Sequence, residues 1–212
     1  MQGFFDVQVK NAPGLTDDLF RKLGKEELRH LLLKLPTVQH APWHKNLVND
    51  HLPSWIFQHI MGGAGVGYPY DNNGVNSGGL ANITLLNLDS EPTYSEDVSA
   101  YWTINNPAYN VGGTCGKRFI EDDVEPELIS LTAGKEELYF RSRFLFTPSE
   151  AVSNDIRSVA YYYADNADTT GSSDRGHFGR VRLKDSGGTP IILNKTAAQV
   201  LLIQLILKLV TV

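Results

Sequence analysis

No disulfide can form within this chain, because Cys115 is the single cysteine among 212 residues. A zinc site built mainly from thiolates is excluded for the same reason. Charge is sparse as well. Asp, Glu, Lys and Arg make up 20% of the residues and the formal net charge is -5, so no basic field exists to hold nucleic acid by counterion release. Nucleic acid is therefore not expected as a partner. Long apolar runs are also missing. The most apolar stretch, residues 197–212, includes Gln204 and Lys208 and falls short of the roughly 20 residues that a membrane-spanning helix needs. No membrane partner is expected. The first residues, "MQGFFDVQVKNAPG", carry no basic leader followed by an apolar run, which predicts synthesis in the cytoplasm without secretory targeting.

What is present divides into three parts. Residues 1–60 read as an N-terminal helical arm with a short strand. Phe5, Val7 and Val9 alternate as a strand would. Thr16 is placed to cap a helix, with Asp17 and Asp18 at its positive end. Gly24 breaks that helix, and Leu28, Leu31, Leu32 and Leu35 then form a second apolar stripe that Pro36 ends. "HAPWHKNLVNDHLPSWIFQHI" follows with no clear period. Residues 61–80 are rich in Gly and Asn and read as a loop.

Residues 81–212 read as short strands separated by turn signals. In 138–146, Leu138, Phe140, Phe144 and Phe146 share one side while Tyr139, Arg141 and Arg143 take the other. In the closing stretch, Leu201, Ile203, Leu205, Leu207 and Leu209 would form one apolar face of a strand. Gln204 and Lys208 share a face in either a strand or a helix, so periodicity leaves both open, with a strand preferred. Strands without long intervening helices predict a mainly β fold, an antiparallel β-sandwich of the jelly-roll or immunoglobulin-like kind.

The motifs that carry chemistry are weak. Five histidines, His30, His40, His44, His51 and His59, cluster in sequence, but "HAPWH" lacks the Glu of a zinc-protease helix and contains Pro42. "GGAGVG" matches neither the dinucleotide fingerprint nor a P-loop. "DNNGVN" at Asp71 departs from calcium-loop spacing. Ser172, Ser173, Asp174 and His177 adjoin in sequence, which is poor grounds for a triad whose members meet through the fold. Cys115 lies among glycines, and Glu121, Asp122, Asp123, Glu125 and Glu127 read as a solvated face. The expectation is a chain that is not an enzyme, with no catalytic residues, cofactor or metal.

The segment "GRVRLKDSGGTPIILNKTAAQVLLIQLILKLVTV", preceded by "GKEELYFRSRFLFTPSEAVSNDIRSVAYYYA", resembles the closing strands of structural proteins in tailed-phage virions. The resemblance covers roughly residues 134–212. It departs from the usual pattern in its Leu-rich last strand. It implies a virion location and an assembly role in neck, tail or capsid surface, with copies of itself and other virion proteins as partners. The candidate interface residues are the apolar ones in 1–60 that lack a core of their own: Leu28, Leu31, Leu32, Leu35, Trp43, Trp55, Ile56 and Phe57. The alternative is a carbohydrate-binding jelly-roll module that reads a glycan receptor through Tyr101, Trp102, Tyr161 and Tyr163.

Overall fold

Period-two alternation organises most of the structure. The computed structural model describes residues 2–48, 79–92, 110–115, 125–131, 135–164 and 176–210. Among these residues the chain is mainly β. Strands β1 (Gln2–Asn11), β2 (Thr37–Val48), β3 (Gly79–Leu86), β4 (Asn110–Cys115), β5 (Glu125–Leu131) and β6 (Lys135–Phe146) are followed by β7 (Ser153–Ile156), β8 (Ser158–Ala164), β9 (Gly176–Arg182), β10 (Leu193–Lys195) and β11 (Gln199–Val210). Helices α1 (Asp17–Lys22) and α2 (Lys25–Lys34) separate β1 from β2. Nine strands form one sheet in the order β4-β3-β8-β9-β2-β1-β11-β6-β5, and β7 pairs with β10 apart from it. Every pairing is antiparallel.

The closing apolar stretch is a strand. Leu201, Ile203 and Leu205 of β11 are buried on the same side as Phe144 and Phe146 of β6 and Phe5, Val7 and Val9 of β1. Ile83 and Leu85 of β3, Val159 of β8 and Val181 of β9 belong to the same cluster. β3 and β6 stand six places apart in the strand order. Ile156 and Leu193, from the β7–β10 pair, also enter the cluster.

The opposite face is covered by the helices. Ala12, Leu145, Val200 and Leu202 meet Phe20, Leu28 and Leu32, with Leu23, Leu31 and Leu35 packed around them. Thr16 caps α1 as expected, its hydroxyl accepting from the Leu19 N–H at 3.4 Å. Gly24 separates the helices, and its N–H donates to the Glu27 carboxylate at 3.0 Å.

Residues 2–48 correct the expectation of an appended arm. β1 lies between β2 and β11, pairing with β11 from Gln2↔Lys208 to Asn11↔Gln199. Its partner strand lies far along the chain, where no local pattern could indicate it. The stretch from Thr37 to Val48 is a strand although it contains Pro42. The register shifts here, between Phe5↔His44 and Val7↔Ala41, and such an irregularity is where a strand tolerates a residue without an N–H. Residues 49–60 and 61–78 lie outside the described residues, and Gly79 and Leu80 begin β3.

Candidate functional site

Alternation in β1 sends Phe5, Val7 and Val9 to the core and leaves Asp6, Gln8 and Lys10 on the helix side. Register sets Gln204 of β11 opposite Asp6, Arg143 of β6 opposite Gln204, and His40 of β2 opposite Gln8. A row of polar residues thus crosses four strands beside the apolar patch that seats α2.

The row is hydrogen-bonded throughout. The buried Asp6 carboxylate accepts from Gln8 Nε2 at 2.7 Å, His40 Nε2 at 2.6 Å and Gln204 Nε2 at 3.4 Å. Arg143 Nε donates to Gln204 Oε1 at 3.4 Å. Lys10, also buried, donates to the Leu35 carbonyl at 3.3 Å and to Thr37 Oγ1 at 3.0 Å. An amine at the end of α2 satisfies a carbonyl that the helix leaves unpaired. Burial lowers the pKa of Lys10 from its ordinary value, and the Asp6 charge opposes that shift.

Between this row and α2 lies a cleft of about 230 Å3. Its floor is Gln8, Lys10, Arg143, Leu202 and Gln204, and its wall is Arg29, Leu32 and Leu33. Three cations therefore face one small space in a chain of net charge -5. The cleft is suited to holding an anion. The Asp6–His40 pair has the form of a base and its orienting carboxylate, but among the described residues His40 is bonded to Asp6 and to no serine or cysteine.

Two other polar clusters are structural. Arg182 bonds to Asp89 at 2.7 Å and Glu91 at 3.2 Å, Arg157 to Asp89 and Asp155, and Lys184 to Glu91. The hydrogen bond from Arg182 is the main reason that the Asp89 carboxyl lies below its usual range. The buried Arg180 donates to the Ser90 carbonyl at 2.8 Å and to Ser158 Oγ at 3.1 Å. Together they clamp residues 89–91 to β8 and β9. Lys195 is fully buried beneath the turn at 148–150, donating to the Pro148 carbonyl at 3.0 Å. Burial lowers its pKa to about 8 against the opposing charges of Asp17 and Glu150.

The residues singled out in the sequence are scattered. Leu28 and Leu32 are buried within the chain, and Leu31 and Leu35 are half-buried against the same cluster. Trp43 is exposed on β2, while Trp55, Ile56 and Phe57 lie outside the described residues. His30 bonds within α2 to the Glu26 carbonyl, His44 sits opposite Phe5, and His51 and His59 lie outside the described residues. His177 sits opposite Tyr162, whereas Ser172, Ser173 and Asp174 lie outside. Cys115 ends β4 opposite Thr84. Glu125 and Glu127 face Arg141 and Tyr139 in register, and Glu121, Asp122, Asp123 and Asp71 lie outside. Of the proposed sugar-stacking aromatics, Tyr161 and Tyr163 hold places in β8 opposite Gly179 and Gly176, while Tyr101 and Trp102 lie outside.

The cleft residues Gln8, Lys10 and Arg29, and Asp6 beside them, escaped the sequence reading. The available signal was a polar position interrupting each of several apolar strands, as Gln204 does in β11 and Arg143 in β6. Among the described residues no helix is long and apolar enough to cross a membrane, and no group of three His, Cys, Asp or Glu side chains is placed to hold a metal ion. Comparison of the chain with protein-family models, curated proteins and solved structures gives no match.

Proposed function

We propose that this protein is a non-enzymatic structural component of a tailed-phage virion, working as repeated copies in the neck, tail or capsid surface beside other virion proteins. Its body would be a β-sandwich of the jelly-roll or immunoglobulin-like kind. The pattern of residues 134–212 supports the class. The observation that carries the assembly role is the set of large apolar side chains left exposed on α2 and β2. Leu33 of α2 is 77% exposed, and Val38 and Trp43 of β2 are 48% and 46% exposed. Burying large side chains of this kind against a second copy is the usual means by which such surface is removed from water.

Light scattering and electron microscopy of the purified protein test this reading. A defined oligomer or ring is expected for the wild type, and Leu33→Glu with Trp43→Glu is expected to shift it to a monomer with an unchanged far-ultraviolet spectrum. An oligomer indifferent to both substitutions would remove the proposed surface. A wild type that stays monomeric at every concentration would overturn self-assembly.

A further inference from the structure

The cleft between α2 and the sheet is unexplained by an assembly role, and its chemistry is specific enough to name a ligand class. We propose that it binds a single sugar ring bearing a carboxylate, a hexuronate, through Arg29. Three observations converge on this class.

The first is charge. Lys10, Arg29 and Arg143 line the cleft, and the Asp6 carboxylate beside it is already engaged by Gln8, His40 and Gln204. Arg29 is held only loosely by its own helix, with Glu26 Oε1 at 3.9 Å and its side chain 42% exposed. A guanidinium so placed can present its planar fork to a carboxylate.

The second is size and polarity. About 230 Å3 is below the roughly 300–1,000 Å3 of drug-sized sites, so the space suits one ring. Gln8 and Gln204 each give one amide N–H to Asp6, which leaves the second N–H of each amide for a hydroxyl oxygen. These amides are held in place by their bonds to Asp6, Thr37 and Arg143, so little ordering remains to be done on binding.

The third is the apolar side. Leu32 and Leu33 of α2 line the cleft across from Gln8 and Gln204 on its floor. A pyranose has an apolar C–H face and a polar hydroxyl rim, which matches leucines on one side and amides on the other. A bare inorganic anion would make no use of the leucines. The inference rests on the cleft alone, and Leu33 is shared between the cleft and the proposed assembly surface.

Isothermal titration of the full chain with glucuronate tests it, with glucose, acetate and inorganic phosphate as comparison ligands. Glucuronate is expected to bind with a dissociation constant on the order of 1 mM or tighter. Glucose and acetate are each expected to bind at least about tenfold more weakly, because one lacks the carboxylate and the other the ring. Arg29→Gln is expected to weaken glucuronate binding about tenfold at an unchanged urea midpoint, and Arg29→Lys to fall between, since it keeps the charge and loses the fork. Glucose binding as tightly as glucuronate would overturn the carboxylate assignment. Acetate or phosphate binding as tightly would overturn the sugar assignment. No binding up to about 20 mM glucuronate, or an Arg29→Gln variant that binds as the wild type does, would overturn the proposal outright.

Discussion

Lys195 offers a direct test of the packing around β10, because its amine is enclosed yet ionisable. The side chain is fully buried, its Nζ donates to the Pro148 carbonyl, and its pKa falls from 10.5 to about 8. Between those two values the unfolded chain carries a proton on this lysine that the folded chain has released. Stability therefore rises with pH across this window, and the penalty for burying the charge is present in full only below about pH 8. At about 1.4 kcal/mol per pH unit, raising the pH from 7 to 9.5 should stabilise the fold by about 2 kcal/mol through this group.

Lys195→Met isolates that contribution. At pH 7 the substitution relieves a burial penalty of about 3 kcal/mol but leaves the Pro148 carbonyl without its donor, which costs about 1–3 kcal/mol. The two nearly cancel, so the variant should resemble the wild type at pH 7 and fall about 2 kcal/mol below it at pH 9.5. Urea unfolding of both proteins at the two pH values measures the difference. Equal changes in stability for wild type and variant would refute the reasoning, because lysines and tyrosines elsewhere titrate in both.

Arg180→Leu should destabilise the protein by about 3 kcal/mol in urea unfolding, since the Ser90 carbonyl and Ser158 hydroxyl lose a buried donor. Hydrogen exchange at residues 89–91 should quicken with it, and unchanged exchange there would contradict the clamp. Gly188 turns the chain between Asp185 and Thr189 with φ at +83, and a Cβ there meets nothing within 4 Å. Gly188→Ala should therefore cost about 1–2 kcal/mol from backbone strain alone, and a melting temperature equal to that of the wild type would rule out the left-handed turn.

How much of this was readable in the sequence depended on whether the governing signal was local. Thr16, Gly24 and Pro36 mark helix boundaries by their own chemistry, and the structure puts boundaries there. The faces of β6 and β11 followed from alternation, because Phe144, Phe146, Leu201, Ile203 and Leu205 repeat at every second place. Leu145 and Leu202 break that alternation, since the helices cover them from the other side. β2 was illegible for a different reason: its proline and mixed composition suppress any period, and a register shift makes room for the proline. The cleft was least legible of all. Its members come from β1, α2, β6 and β11, and a lysine or glutamine alternating with valines reads as an ordinary solvated position until the neighbouring strands are known.

The pairing of β1 with β11 ties these points together. It joins residues 2–11 to residues 199–208 in an unbroken register, so the centre of the sheet forms only when the most distant described parts of the chain meet. Such long-range pairing is entropically late, because loop closure precedes any contact that rewards it. The cleft has its floor on β1, β11 and β6, which makes it a product of that step rather than of any local segment. Removing residues 1–60 would delete β1, β2 and both helices and leave Phe144, Leu201, Ile203 and Leu205 without the side chains that cover them. A failure of such a truncation to assemble would report lost folding. Substitutions at exposed positions such as Leu33 and Trp43 leave the core intact, so they alone separate assembly from stability.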